Sequence, residues 1–117
     1  MDAEQFVDAV RVHVMRSSVR DTITNLLDPP GRRPAPEFVQ LSKWYLGLEV
    51  RDQEMVRRVL LEASHGAVFG LFAVLDGVRR VDSAQPPGEL ELWYEGPEGR
   101  KKLNGDLHDL LNSEPLR

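Results

Sequence analysis

Apolar residues recur at helical spacing over most of this chain, and proline and glycine mark the breaks between runs. Phe6, Val10 and Val14, with Ala3, share one face of a helix predicted over residues 2–27, and Asp2 stands before its first turn as a cap. Ser17-Ser18 offers a second capping position. The pattern therefore predicts a break there and a short second helix from Val19 to Leu27, with Val19, Ile23, Leu26 and Leu27 turned inward. Four prolines and one glycine between Asp28 and Pro36 exclude helix and central strand, so that stretch reads as a loop. A further helix is expected from about Pro36, with Glu37 at its positive end. It carries Phe38, Leu41, Tyr45 and Leu48 and weakens at Gly47.

Asp52 is the expected cap of a long helix to about Leu75, with Met55, Val56, Val59, Leu60, Ala63, Ala67, Leu71, Val74 and Leu75 as its stripe. From Gly66 to Leu75 that helix is apolar all round, which predicts a segment surrounded by protein at the centre of the fold. Gly66 and Gly70 are expected to admit a neighbouring helix closely. Asp76-Gly77 closes the helix. The period then changes to two. Val78 to Asp82 reads as a short strand, Gln85 to Gly88 as a turn, and Glu89 to Glu95 as a strand. Gly96 to Gly99 is the hairpin loop and Arg100 to Leu103 the return strand. Asp106 caps a last short helix with Leu107, Leu110 and Leu111, and the tail after Asn112 is expected to be loose.

These elements define an α+β, mainly α fold. It is a helical bundle of about four to five helices with a small antiparallel β-hairpin near the C-terminus. At 117 residues and 41% hydrophobic, residues 1–117 are expected to form a single compact domain with a packed core. The net charge of −4 lacks the basic footprint of a nucleic-acid binder. The absence of cysteine excludes disulfides, thiolate metal sites and cysteine nucleophiles. The N-terminus Met-Asp-Ala-Glu-Gln-Phe has no signal-peptide pattern, and the ten-residue apolar run is short for a span. A cytoplasmic location without membrane contact is the expectation.

Chemistry-bearing motifs are sparse. Glu62-x-x-His65 has the spacing of a di-metal carboxylate ligand pair, but the second pair and the extra glutamates are missing, so neither metal nor cofactor is expected. Ser64-His65 and His108-Asp109 are adjacent on helices and diverge too far for a triad. There is no Gly-x-Ser-x-Gly elbow and no phosphate-binding glycine loop. Arg32-Arg33, Arg57-Arg58, Arg79-Arg80 and Arg100-Lys101-Lys102 are spread over four segments and interleaved with acids, as solvated charge is. Arg33-Pro34-Ala35-Pro36 reads as a rigid connector. No catalytic residue is assigned.

The hairpin carries the best functional clue. Alternation puts Leu90, Leu92 and Tyr94 on one face and Glu89, Glu91, Trp93 and Glu95 on the other. The expected register sets Glu95 against Arg100, Trp93 against Lys102 and Leu92 against Leu103. Trp93, Lys102, Glu91 and Glu95 are thus the candidate interaction residues, with an aromatic anchor among charges.

Leu41 to Tyr45, Gly66 to Arg79 and Gly88 to Tyr94 resemble stretches of small uncharacterised bacterial proteins. The resemblance implies no activity and no catalytic residue. Two readings follow. The first is a small protein-interaction domain, an adaptor or an immunity-type inhibitor, with a protein partner or self-association. The second is a small enzyme using Glu62, His65, Asp76 or His108, supported only by the presence of those residue types.

Overall fold

The computed structural model describes residues 1–116. It is mainly α with one two-stranded antiparallel hairpin near the C-terminus. The first three elements run on as one rod: α1 (Ala3–Val10), a π-helical segment (Arg11–Arg16) and α2 (Ser17–Leu27). Asp2 caps α1 in a reciprocal box, with the Gln5 amide donating to Asp2 Oδ1 at 2.8 Å and the Asp2 amide to Gln5 Oε1 at 2.9 Å.

The break expected at Ser17-Ser18 does not occur. The Ser17 hydroxyl donates back to the Val12 carbonyl at 3.2 Å, and the Ser18 carbonyl accepts from Thr22 Oγ1. Both serines therefore serve the helix they were expected to end. Each π rung spans one residue more than an α rung, so the repeat slips by one. Met15 takes the buried position that Val14 was expected to hold, and Val14 is half exposed. Past the slip, Val19 and Leu26 point inward, while Leu27 is exposed, against expectation.

After the proline loop, α3 (Pro36–Leu46) starts with Pro36 in its first turn and ends on Gly47. Leu41 is exposed rather than buried, and Tyr45 is the apolar side chain that α3 buries. The buried Ser42 hydroxyl donates to the Leu26 carbonyl at 2.6 Å, satisfying a carbonyl at the end of α2. α4 (Val50–Leu75) begins one turn earlier than expected, with Glu49 rather than Asp52 at the cap position. Gln53 Nε2 donates to the Tyr45 carbonyl at 3.1 Å and ties α4 to α3. Farther along, α4 crosses the rod, where Ser64 Oγ donates to the Met15 carbonyl at 3.3 Å.

The C-terminal half of α4 is only partly enclosed. Gly70, Phe72 and Ala73 are buried, but Gly66, Ala67 and Leu71 face outward, which corrects the expectation of a helix surrounded by protein. Among the described residues no neighbouring helix packs on the two glycines. A side chain on Gly66 would meet nothing, and Gly70 lies under the Arg79 guanidinium.

Residues 78–82 form no strand, and residues 77–91 are exposed throughout. β1 (Trp93–Gly96) pairs with β2 (Gly99–Lys102) in the expected register, Trp93 opposite Lys102 and Glu95 opposite Arg100. Pairing continues through the two glycines to a turn at Pro97-Glu98. Gly99 needs its positive φ of 114°, and a side chain on Gly96 would strike the Tyr94 ring. The strand begins only at Trp93, so Leu90 is half exposed rather than turned to the core.

The last helix, α5 (Leu107–Leu111), packs on α1 and α4. Val7, Met15, Phe72, Leu107 and Leu111 form the core, and Phe6 meets Phe72 edge-on at 6.0 Å.

Candidate functional site

Two constellations stand out: a polar clamp on α5 and an apolar groove beside the hairpin.

The clamp begins where α4 ends. Asp76 Oδ1 accepts the Gly105 amide at 2.6 Å, and Oδ2 accepts the His108 amide at 2.9 Å and meets His108 Nδ1 at 2.5 Å. Asp76 therefore caps α5, a role expected of Asp106, which makes no side-chain capping bond. The Asp76 side chain is fully buried. Burial pushes its carboxyl up, but the hydrogen bonds from His108, Gly105 and Leu107 outweigh that and hold it below its ordinary value. The same bond raises His108 above its ordinary value, against a smaller opposing effect of burial and with help from the Asp109, Asp76 and Asp106 charges. At the other end of α5, the Arg11 guanidinium donates to the Leu110 and Leu111 carbonyls at 2.5 and 3.0 Å and pairs with Asp8 at 2.5 Å.

This clamp joins two residues of the enzyme reading, Asp76 and His108, in the arrangement that orients a catalytic imidazole. The outward ring nitrogen, however, lies 3.5 Å from Asp109 Oδ1, and no serine or threonine hydroxyl among the described residues bonds it. Glu62 and His65 do not combine. His65 Nε2 meets Asn112 Oδ1 at 3.0 Å, and its ring stacks on Phe69. Among the described residues no group of three His, Asp or Glu side chains is placed to hold a metal ion. The clamp fixes a five-residue helix that could not persist alone.

Three of the four candidate residues of the hairpin, Trp93, Glu91 and Lys102, come together, while Glu95 pairs with Arg100 instead. Trp93 is 38% exposed, and its Nε1 donates to Glu91 Oε2 at 2.9 Å. Lys102 Nζ lies 4.0 Å from Glu91, and Arg100 pairs with Glu95 at 3.2 Å. The cation over the indole is Arg100, 4.4 Å from the ring centroid, and not Lys102. The diagonal cross-strand neighbour is within reach of a long side chain, and its planar guanidinium stacks on a ring.

Behind Trp93 lies a groove of about 390 Å³ between the hairpin and the N-terminal rod. Phe6, Val10, Val14, Leu92, Tyr94 and Leu103 contribute to its walls, and almost all of the exposed lining is carbon. The groove is wide and shallow. It holds no Asp, Glu, Lys or Arg side chain, whereas the adjoining cleft at the hairpin turn is polar, with Asp2, Glu98, Arg100 and Lys101. The sequence pattern named Phe6, Val10 and Val14 but assigned them to the core. Phe6 and Val10 do border the core from the groove side, and only Val14 is turned outward, by the π slip, which no spacing rule reveals. Comparison with known protein families, with curated proteins and with solved structures finds no match.

Proposed function

We propose that the protein is an interaction domain that receives an apolar segment of a protein partner in the groove between the N-terminal rod and the hairpin, with Trp93 at its lip. The observation that carries this reading is the groove itself, open, carbon-lined and bordered by charges of both signs. A buried apolar centre with a polar rim is the anatomy of a protein contact. A small-molecule site encloses most of its ligand, which this shallow surface does not do. The fitting partner offers aliphatic or aromatic anchors flanked by charge. The net charge of −4 favours a partner of opposite sign. On this reading the role is that of an adaptor or an immunity-type inhibitor, which acts by covering its partner, and a cytoplasmic setting suits it.

The test is selection of peptides from a random display library on the wild-type protein, with Val14→Asp and Trp93→Ala proteins as counter-screens. Selected peptides are expected to carry apolar anchors and to lose affinity on both variants, by about tenfold or more, as loss of an interface hot spot does. Peptides that bind all three proteins equally would place the contact elsewhere and overturn the reading.

A further inference from the structure

The accessible surface is too large for a chain of this mass. Folded monomers of 13.3 kDa expose about 6,450 Å². This chain exposes 8505 Å², roughly 2,000 Å² more. Its radius of gyration is 18.1 Å, where about 13 Å is usual for this length. Part of the excess belongs to the exposed stretch 77–91, which has no helix or strand. Another part lies on α4, which is long and apolar enough to cross a membrane, yet only 22% of its apolar window is buried.

The exposed apolar positions of α4 are ordered. Met55, Val59, Ala63, Ala67 and Leu71 are each four residues apart, and all five are exposed. They form one continuous i±4 ridge, the kind that interdigitates with an identical ridge in the commonest class of helix packing, at a crossing angle of about 50°. On the next row, Gly66 opens onto free space. The ridge is large at its ends (Met55 50% exposed, Leu71 57%) and small in its middle.

We infer that this ridge is the contact between two copies of the chain, crossing about a two-fold axis at Ala63. An isologous contact requires a self-complementary patch. Antiparallel crossing at Ala63 sets Val59 over Ala67 of the second copy and carries Met55 toward Leu71, so large residues meet small ones next to the axis. A stable dimer needs about 800 Å² from each partner, well within the excess surface. Lipid is the poorer occupant, because the N-terminal half of the same helix carries Arg51, Asp52, Glu54, Arg57, Arg58 and Glu62. The contact shares no residue with the hairpin groove, so either proposal can fail without the other.

The test uses the full chain in sedimentation equilibrium and in crosslinking. The wild type is expected at twice the 13.3 kDa chain mass at micromolar concentration. Ala63→Glu sets two carboxylates together on the axis and is expected to give the single mass, with unchanged helical circular dichroism because position 63 is exposed in the monomer. With no native cysteine, Ala63→Cys is expected to form an intermolecular disulfide on mild oxidation, whereas Arg33→Cys in the proline loop is not. A wild type that sediments as a monomer, an Ala63→Glu protein that stays dimeric, equal crosslinking at both cysteines, or recruitment of the monomer to phosphatidylglycerol vesicles in place of self-association would each overturn the inference.

Discussion

α5 and the β-hairpin are neighbours late in the chain, both too short to persist alone, and they are secured in opposite ways. α5 is gripped at both ends, by Asp76 at its amides and by Arg11 at its carbonyls, and Leu107 and Leu111 are fully enclosed. The hairpin meets the core through half-buried Leu92 and is moored chiefly by Asn104, whose side chain bonds the Leu75 and Leu90 carbonyls and the Leu92 amide. Every residue of β2 is exposed. The difference shows how polar side chains at element ends substitute for area. A five-residue helix becomes part of the core, while a longer hairpin stays at the surface and keeps an apolar groove open beneath it.

The largest expected effect comes from breaking the core on which α5 rests. Phe72 is buried and meets Phe6 edge-on. Phe72→Ala should destabilise by about 3–5 kcal/mol. That lowers the thermal midpoint by about 12–20 °C in a domain of this size. A midpoint within a few degrees of wild type would show that the Phe72 contacts contribute little.

Asp76→Asn should come next, with a loss of about 2 kcal/mol near pH 5, since a buried carboxylate accepting several hydrogen bonds gives way to a neutral amide. The pH dependence gives the sharper readout. The lowered Asp76 pKa contributes stability that is complete above the ordinary 3.8 and is lost as pH falls through the folded value. The raised His108 pKa contributes stability that is complete below the ordinary 6.5 and is lost as pH rises through the folded value. Both contributions are therefore whole between about pH 4 and pH 6.5. Wild-type thermal midpoints should fall on either side of that window, and the alkaline fall should largely vanish in Asp76→Asn. Parallel pH profiles for the two proteins would remove the clamp from the account.

Asn104→Ala tests the mooring. It removes three hydrogen bonds, at 2.5, 2.8 and 2.8 Å, and is expected to cost about 1–2 kcal/mol. Amide exchange should accelerate in β1 and β2 first, while α4 and α5 keep their protection. Uniform acceleration across the chain would mean that hairpin and core open together, and the contrast between the two regions would dissolve.

Much of this architecture was legible wherever the cause is local. The helical period, the Asp2 cap, Pro36 in a first turn and Gly47 at an end all act within a few residues. The hairpin register was equally readable, because charge pairing across two short strands admits few alternatives. What escaped depends on distance or on geometry that shifts phase. Asp76 and His108 are 32 residues apart, and Arg11 and Leu111 are 100 apart. The π segment moves Val14 out and Met15 in, although both are equally apolar. The alternation at Glu89–Glu91 looked like strand but has no partner, since pairing with β2 ends at Trp93 and one more bond, Leu103 to Leu92, closes the ladder. The apolar run around Leu71 showed that a face needs covering and gave no sign that this chain leaves it open.

Trp93→Ala should have the smallest effect on folding, and its smallness would sharpen the contrast. Leu92, next to it, packs against the core, and Leu92→Ala is expected to cost about 2 kcal/mol. Trp93 instead rests between Arg100 and Glu91 at the surface, and an exposed cation–π contact is worth about 0.5–1 kcal/mol. Trp93→Ala should therefore cost about 1 kcal/mol, less than its half-buried neighbour. A double-mutant cycle identifies the partner cation. Trp93→Ala with Arg100→Ala should show coupling of about 0.5 kcal/mol or more, while the same cycle with Lys102→Ala should show less. Coupling to Lys102 in place of Arg100 would mean that the direct cross-strand neighbour covers the indole in solution and would turn the ring away from the groove. Equal losses for Leu92→Ala and Trp93→Ala would mean that the hairpin is packed as tightly as α5, and the indole would then be too committed to its own chain to anchor a partner.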